Sequence, residues 1–290
     1  MKRFLRGFVT NPNSGSYQRS SADALQEFSA LWALGALRGE IWSDGLRWRQ
    51  VAVLMLVMKP HIKLAETSTP DGKSLTLHVH DGDFSLRVNG RDLMHSSVSA
   101  SELHLGELAA ERVTGSEKAR VLIGGLGMGF TLKSVLAAAG PNVKVIVAEL
   151  IPEVVDWNRT FLGELNGKLL DDPRVTILIE NVNSVLGRAK PGEYDAVLLD
   201  IDNGPTAMVQ AGNAQLYDKR GILRILRAVK PGGRAAIWSA SVDREFAMRL
   251  KKAAGKMTAV PARLHANAKR STYTIYVADK VAEQAEKNEG

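Results

Sequence analysis

The chain has 290 residues, a net charge of +7, no cysteine, and ordinary hydrophobic (45%) and charged (24%) fractions. This length suffices for one domain of about 200–250 residues with small additions. Without cysteine, disulfides and thiolate metal sites are excluded, and the mild positive charge favours anionic partners only weakly. No apolar run approaches the roughly 18 residues of a membrane span. No signal-peptide pattern follows Met1, so we expect a cytoplasmic protein with no membrane partner.

The first part of the chain reads differently from the rest. Residues 1–57 contain a polar loop at 11–21, and a clearer pattern of apolar and polar residues begins at Met58. We interpret 1–57 as an N-terminal extension outside the native fold, with Met58 as a candidate start. Within 58–98, the turn signals Asp81-Gly82 and Asn89-Gly90 separate alternating segments. Both dipeptides tolerate the positive φ that a type I′ hairpin turn requires, so they predict a small β-meander.

The remainder of the chain alternates between strand and helix patterns. A capping box from Ser99 to Glu102 predicts a helix that ends near Val113. From Arg120 onward, continuous apolar strands are separated by helices. Strands buried on both faces predict an α/β fold over 99–278, a Rossmann-like, doubly wound and mostly parallel sheet. The tail 279–290, rich in Ala, Glu and Lys, is expected to fray.

A glycine-rich loop stands between the first strand of this sheet and its helix. Gly125, Gly127 and Gly129 let the backbone turn tightly and approach a ligand beside a helix N-terminus. Glu149 ends the next strand, where a carboxylate can accept both hydroxyls of a ribose. The dinucleotide pattern G-x-G-x-x-G is not met, because its last position falls on Phe130. The loop, its flanking elements and the distant acid together predict a nucleotide site.

The order of these motifs resembles that of class I S-adenosylmethionine-dependent methyltransferases. The loop and Glu149 are followed by YDAVLLD at 194–200 and VKPGG at 229–233. Finer features are similar to the spermidine synthase (polyamine aminopropyltransferase) branch, and the similarity covers about residues 75–278. These features are the segment Val88–Met94, a helix with Ser101, Glu102 and Glu107, the segment Asp172–Val175, and Gly204-Pro205 after Asp200.

The resemblance implies roles for several residues. The three loop glycines would hold the methionine-like part of S-adenosylmethionine, or of its decarboxylated form, and Glu149 would hold the ribose. Asn181 stands where the family usually has an Asp that meets the adenine amino group. Its side-chain oxygen can still accept a hydrogen bond from an amine. Asp200 stands at the place of the family's catalytic Asp, at the carboxyl end of a strand.

Departures from the family pattern bear on the reaction. The family's Asp inside the glycine loop, which faces the aminopropyl end of the cofactor, is replaced by Gly127. An Asp there would repel a methionine carboxylate 4 Å away by roughly 1 kcal/mol in water and about 4 kcal/mol at an effective dielectric of 20. Gly127 therefore favours ordinary S-adenosylmethionine. Asn203 replaces the family's second active-site Asp. The family's Tyr-His/Gln-Glu segment reads Leu105-Gly106-Glu107 here, so fewer polar groups are left to bind a diamine.

The chemistry requires alignment and deprotonation of an amine or hydroxyl nucleophile. Asp200 and Asp202 are the candidate base and orienter, the alternative being that one of them caps a turn. Asn203, Tyr217 and Trp238 are the candidate acceptor-binding residues. The two aromatic residues are equally compatible with core packing.

We expect neither a metal nor a nucleic-acid partner. His78 and His80 share a strand face, but no third metal ligand is fixed. The stretch 246–278 has no acidic residue, yet a solvated face explains it more simply than a nucleic-acid patch. The four residues from Asp202 to Pro205 are not followed by an aromatic residue that would stack a flipped base.

Three functional hypotheses follow. The favoured one is methyl transfer from S-adenosylmethionine to a small-molecule acceptor, an amine or an acid. The second is aminopropyl transfer from decarboxylated S-adenosylmethionine to a polyamine. The third is a non-catalytic nucleotide-binding relative, because fold does not fix function. Gly127 separates the first two hypotheses, and Asp200 argues against the third. Because relatives of this branch are often dimers, we also expect a homodimer.

Overall fold

The computed structural model describes residues 60–113, 118–201, 213–265, 267–268 and 270–281. The interpretation of 1–57 as an extension and of Met58 as a start lies outside these residues. So do the candidate site residues Asp202 and Asn203, and most of the predicted tail, 282–290.

The first described strands form an antiparallel four-stranded meander in the order β1-β2-β3-β4. Its strands are β1 (Ile62–Ser68), β2 (Ser74–His80), β3 (Asp83–Val88) and β4 (Arg91–His95). Both predicted turns have positive φ at their two central residues, 54° and 84° at Asp81-Gly82 and 48° and 75° at Asn89-Gly90. This is the type I′ geometry that matches the twist of the flanking strands, and it confirms the predicted meander. Strand β1 was not predicted, because its residues are mostly exposed and show no clean alternation.

The second sheet has seven strands in the order β10-β11-β9-β8-β5-β6-β7. The strands are β5 (Arg120–Gly124), β6 (Lys144–Glu149), β7 (Val175–Ile179), β8 (Tyr194–Leu199), β9 (Val229–Ser239), β10 (Thr258–Arg263) and β11 (Ser271–Asp279). Five neighbouring strands are parallel, and β11 runs antiparallel to both of its neighbours. The predicted fold class, a Rossmann-like and mostly parallel sheet, is confirmed.

Helices cover both faces of this sheet. They are α1 (Ala100–Val113), α2 (Phe130–Ala138), α3 (Pro152–Thr160), α4 (Gly163–Asn166), α5 (Val182–Arg188), α6 (Ala214–Tyr217), α7 (Lys219–Ala228) and α8 (Arg244–Ala254). Along β5, Val121 and Ile123 join the core shared with the meander, α1 and α2, whereas Leu122 joins the opposite core with α5, α7 and α8. Because strand side chains alternate between faces, both faces of β5 must be apolar, which explains its continuous apolar run.

Strand β9 and helix α5 also differ from the sequence expectation. Strand β9 begins at Val229, which pairs with Tyr194, and the regular register resumes only at Arg234, which pairs with Ala196. The intervening Lys-Pro-Gly-Gly segment bulges out of the ladder, since proline has no N–H to donate. Helix α5 was not predicted, because it is only seven residues long. Among the described helices, none is long and apolar enough to cross a membrane.

Two helical glycines allow a matched test of this packing. A Cβ added at Gly221 in α7 would lie 2.2 Å from the carbonyl oxygen of Gln215 and 2.4 Å from that of Leu216. At Gly187 in α5, no atom lies within 4 Å of an added Cβ. Backbone atoms cannot swing aside, so we expect Gly221→Ala to lower the free energy of unfolding by about 1–3 kcal/mol. Gly187→Ala should instead raise it by about 0.5–1 kcal/mol, since alanine loses less freedom in a helix.

Urea denaturation of the two variants measures both changes against the unmodified chain. A change of the same sign in both variants would contradict the packing described for α7.

Candidate active site

The strand order places a ligand-binding crevice at the centre of the sheet. From β5 the chain passes to β6 and β7 on one side, and it then returns to β8 on the other side. In open α/β sheets, ligands bind beyond the carboxyl ends of the strands at such a reversal. Three sequence-predicted residues meet there, because Gly125 follows β5, Glu149 ends β6 and Asp200 follows β8.

The backbone conformation of the loop requires glycine at three positions. Gly125, Gly127 and Gly129 have φ values of +89°, +52° and +86°, which side-chain-bearing residues rarely adopt. A Cβ at Gly125 would lie 2.2 Å from the backbone carbonyl oxygen of Asp200, so this position also has no space for a side chain. The loop leads into α2 with Gly129 as its N-cap, so the free N–H groups of the first helical turn lie next to the crevice.

Glu149 is held between this loop and the following helix. Its Oε2 accepts a hydrogen bond from the Leu126 N–H at 2.9 Å, and its Oε1 accepts from the Ile151 N–H at 2.9 Å. The side chain is buried, yet it lines a cavity together with Asn181. Asn181 caps α5, and its Oδ1 accepts from the Asn183 N–H at 2.8 Å. Both side chains are therefore fixed in orientation at the crevice.

The cavity lined by Glu149 and Asn181, here called the cofactor cavity, encloses about 670 Å³ including its open mouth. Three further polar residues, Glu180, Asp200 and Asn213, line it. The rest of its lining is made of loop glycines and apolar side chains, among them Leu75, Leu86, Leu93, Met94, Leu150, Ile151 and Val154. Apolar walls suit a nucleobase, a fixed carboxylate suits ribose hydroxyls, and the bare glycine backbone leaves room for an aminoacyl chain. The cavity therefore fits an adenosyl sulfonium compound.

A second cavity adjoins the first. Its lining includes Glu102 on α1, Trp238 at the end of β9, Tyr273 on β11, and Asp92 and His95 on β4. We call it the acceptor cavity.

The two cavities share part of their lining. Leu93, Met94 and Asp200 line both of them. Asp200 therefore stands at the boundary, where a group bound in one cavity would meet a group bound in the other.

Asp200 and Glu102 are two acids of the acceptor cavity, of which Glu102 is buried and Asp200 is partly buried. Burial raises the pKa of Asp200 to about 6, although a hydrogen bond from the Thr131 hydroxyl to its Oδ2, at 2.6 Å, opposes the rise. Burial and the nearby charge of Asp200 raise the pKa of Glu102 to about 7, against a hydrogen bond from the Ser101 hydroxyl. A raised carboxyl pKa near the working pH is a common property of groups that transfer protons.

The predicted acceptor-binding residues lie in different places. Trp238 lines the acceptor cavity, and its ring centroid lies 4.9 Å from that of Tyr273. Its buried Nε1 has no hydrogen-bond partner among the described residues. Tyr217 packs in the opposite core, edge-on to Phe246 at 5.5 Å, and lines neither cavity. The structure therefore brings Trp238, but not Tyr217, to Asp200.

Sequence reasoning missed Glu102 and Tyr273 as cavity residues. Glu102 was assigned to a capping box, but its buried carboxyl accepts from Ser101 and lines the acceptor cavity. A signal was available, because Glu102 falls on the same helical face as the buried Leu105 and Ala109. A glutamate on an apolar, buried face is uncommon and therefore needs an explanation beyond a helix cap.

Gly127 is covered by a side chain of the meander. A Cβ at this position would lie 2.7 Å from Sδ and 2.8 Å from Cε of Met94. The thioether tip therefore occupies the space beside the loop where the resemblance places an Asp.

The two strand histidines make separate contacts. His78 Nε2 lies 2.9 Å from Thr76 Oγ1, and the ring of His80 stacks on that of His61 with centroids 3.8 Å apart. Within the described part of the chain, no group of three metal-ligand side chains occurs.

Comparisons with known proteins agree with this architecture. A solved spermidine synthase from Thermotoga maritima matches with a TM-score of 0.59 over 75% of this chain and 72% of its own, at 18% identity. A spermidine synthase in complex with a transition-state analogue matches with a TM-score of 0.58 at the same identity and coverage. At this identity the similarity shows the fold.

Two curated relatives differ in the reaction that their names describe. A putrescine N-methyltransferase of Nicotiana tabacum is 29% identical over 76% of this chain and 53% of its own length. A polyamine aminopropyltransferase of Mycobacterium tuberculosis is 32% identical over 42% of this chain and 23% of its own length. The chain thus spans about half, or less, of the length of these relatives. Both relatives are transferases.

The family comparison covers the crevice itself. The spermine/spermidine synthase domain matches residues 95–258, more than half of the chain, and this range includes the glycine loop, Glu149 and Asp200. The chain belongs to the spermine/spermidine synthase family.

Proposed function

We propose that the chain transfers a group from an S-adenosylmethionine-type cofactor to a small amine, and that the transferred group is methyl. The observation that carries the proposal is the position of Asp200 in the lining of both cavities. A sulfonium in the cofactor cavity and a nucleophile in the acceptor cavity would meet beside this carboxylate. Such alignment of two reactants is a large part of what a transferase supplies.

The acceptor cavity suits an amine better than an acid. Glu102 and Asp200 provide carboxyl groups, and Trp238 and Tyr273 provide aromatic faces. An ammonium group is attracted by both kinds of group, whereas a carboxylate substrate would be repelled by the acids. The sequence hypothesis allowed either a small amine or a small acid as the acceptor, and this lining favours the amine.

The cofactor side favours methyl over aminopropyl transfer. Gly127 carries no charge. The side chain nearest to the position that a Cβ would take here is the apolar tip of Met94. The carboxylate of S-adenosylmethionine would therefore meet no acid at this point of the loop. The relatives support both reactions, because one is named as a putrescine N-methyltransferase and another as a polyamine aminopropyltransferase. Aminopropyl transfer is the second candidate.

Asp200 is proposed to hold the reacting nitrogen and accept its proton, and Glu149 to hold the ribose. Bound S-adenosylmethionine would supply an electrophilic methyl carbon next to a sulfonium. The roles of Asp202 and Asn203, a cytoplasmic location and a homodimer stay predictions from the sequence.

The Gly127 argument is tested by a matched pair of variants. Asn and Asp are among the residues that best tolerate positive φ, and they have nearly the same shape, so their backbone and steric effects should match. We expect Gly127→Asp, but not Gly127→Asn, to weaken S-adenosylmethionine binding by about tenfold or more relative to the decarboxylated cofactor, since only Asp adds a charge near the carboxylate. Calorimetric titration of the unmodified chain and both variants with each cofactor measures the preference.

The unmodified chain should bind S-adenosylmethionine more tightly than its decarboxylated form. The opposite preference would favour aminopropyl transfer. Binding of neither cofactor would argue for the non-catalytic hypothesis.

Asp200→Asn tests the chemical role of the boundary acid. The amide keeps the shape and can still accept from Thr131, but it cannot take a proton, so we expect kcat for methyl transfer to an amine such as putrescine to fall by about 10²–10⁴-fold. Cofactor affinity should change little, because the carboxylate of Glu149 is untouched. Steady-state kinetics with calorimetry separates the two effects. Turnover at the unmodified rate would remove Asp200 from the mechanism.

A further inference from the structure

We infer that Glu102 is a second proton-holding residue of the reaction, and that it forms with Asp200 a carboxyl pair that takes up the proton of the acceptor amine. The inference rests on the proposed function, because it concerns how the amine becomes a nucleophile. It assigns a task to a residue that the sequence analysis placed in a capping box and among the family features, without a role in the reaction.

The geometry joins the two acids through one polar cluster. Glu102 is only 6% exposed, and its carboxyl lines the acceptor cavity beside Asp200. The Thr131 hydroxyl donates to Asp200 Oδ2 at 2.6 Å and lies 3.3 Å from the backbone carbonyl oxygen of Glu102. The Ser101 hydroxyl donates to Glu102 Oε2. Helix α2, which carries Thr131, therefore fixes the start of α1 against the end of β8.

Among the residues that the structure describes, the other titratable groups lining the acceptor cavity are Tyr273, Asp92 and His95. Tyr273 faces it from β11, and burial together with the charge of Glu102 raises the pKa of that phenol, which keeps it neutral. Asp92 and His95 line the same cavity from β4. The Asp92 carboxylate is exposed and accepts from Arg87 at 2.7 Å. Among the described acids that line the acceptor cavity, Asp92 is thus exposed, whereas Glu102 is buried and Asp200 is partly buried.

Two buried carboxylates at one site gain from sharing a proton. When both are ionised, each disfavours the charge of the other, so uptake of one proton relieves the repulsion. The pKa of Glu102, raised to about 7 by burial and by the charge of Asp200, puts this uptake near neutral pH. Asp200 alone, with its pKa raised to about 6 by burial, would be the weaker base.

The proposed step balances within the site. The acceptor enters as an ammonium ion, and one N–H proton moves to the carboxylate pair, which leaves a neutral amine and a singly charged pair. The nitrogen lone pair then forms a bond to the methyl carbon, and the carbon–sulfur bond breaks with its electron pair staying on sulfur. The product is a protonated, methylated amine beside a neutral thioether, and the pair later returns its proton to water.

The first test is the pH dependence of kcat. For the unmodified chain with saturating S-adenosylmethionine and putrescine, we expect kcat to rise with pH through a midpoint near 7, where the pair loses its last proton. In Glu102→Gln the midpoint should move down toward 6, the pKa of Asp200, and the alkaline plateau should fall by about tenfold because the remaining base is weaker. Glu102→Asp keeps a carboxyl group beside Asp200, so its midpoint should lie above that of Glu102→Gln.

Glu245→Gln is the matched control, because Glu245 is an exposed glutamate that, like Glu102, lies in the first turn of its helix, here α8. Its profile should equal that of the unmodified chain. A Glu102→Gln profile with an unchanged midpoint, including a uniform fall in kcat at every pH, would overturn the inference, since a merely structural residue produces that result.

A second readout needs no turnover. In protein labelled with ¹³C at the glutamate carboxyl carbons, the resonance lost in Glu102→Gln should titrate near 7 rather than near the usual 4.5. Asp200→Asn should lower this pKa by removing a like charge, and Ser101→Ala should raise it by removing a hydrogen bond to the ionised form. Titration of Glu102 near 4.5 in the unmodified chain would overturn the inference.

The two proposals fail in different ways. Absence of transfer to any amine would overturn the proposed function, and the carboxyl titration would then decide separately whether the pair exists.

Discussion

The crossing of two backbones at Gly125 is the constraint on which the site depends. The loop after β5 passes so close to the end of β8 that a Cβ on Gly125 would lie 2.2 Å from the Asp200 carbonyl oxygen. Backbone hydrogen bonds hold the crossing on both sides, from Gly125 N–H to the Ala148 carbonyl at 2.9 Å and from Asp200 N–H to the Gly124 carbonyl at 2.8 Å. The ends of β5, β6 and β8 are therefore fixed together, and no side chain can separate the glycine loop from the boundary acid.

This close crossing also explains why several acidic side chains lie near one another in the site. Glu149 is held by the N–H groups of Leu126 and Ile151, so its orientation is fixed by the same loop. Asp200 is brought toward the apolar cavity walls of the meander, where burial raises its pKa. The low local dielectric strengthens its effect on Glu102. Tight packing of the backbone thus produces the electrostatics of the site.

Local patterns made most of the fold predictable. The Asp81-Gly82 and Asn89-Gly90 turns follow from positive φ, and the parallel sheet follows from strands that are apolar on both faces. Helix α5 and the early start of β9 were missed, because a seven-residue helix and a Pro-Gly-Gly bulge leave weak local signals. Gly125, Glu149 and Asp200 were predictable because each stands at the carboxyl end of a strand, where ligands bind in such sheets. Tyr273 could not be found in this way, since it reaches the cavity from β11, far along the chain.

The departures from the family pattern favour the proposed methyl transfer to an amine. Gly127 removes a charge from the cofactor side, and Met94 covers it with an apolar tip. On the acceptor side, Glu102 and Asp200 stand opposite the aromatic rings of Trp238 and Tyr273. At Gly127 no acid repels the carboxylate of the cofactor. In the acceptor cavity, Glu102 and Asp200 favour an acceptor that carries an ammonium group. Methyl and aminopropyl transfer both attack a carbon next to a sulfonium, but they use different cofactors. In the proposed function, the cofactor that the loop accepts decides between them, and Gly127 is the position of the loop that carries this argument.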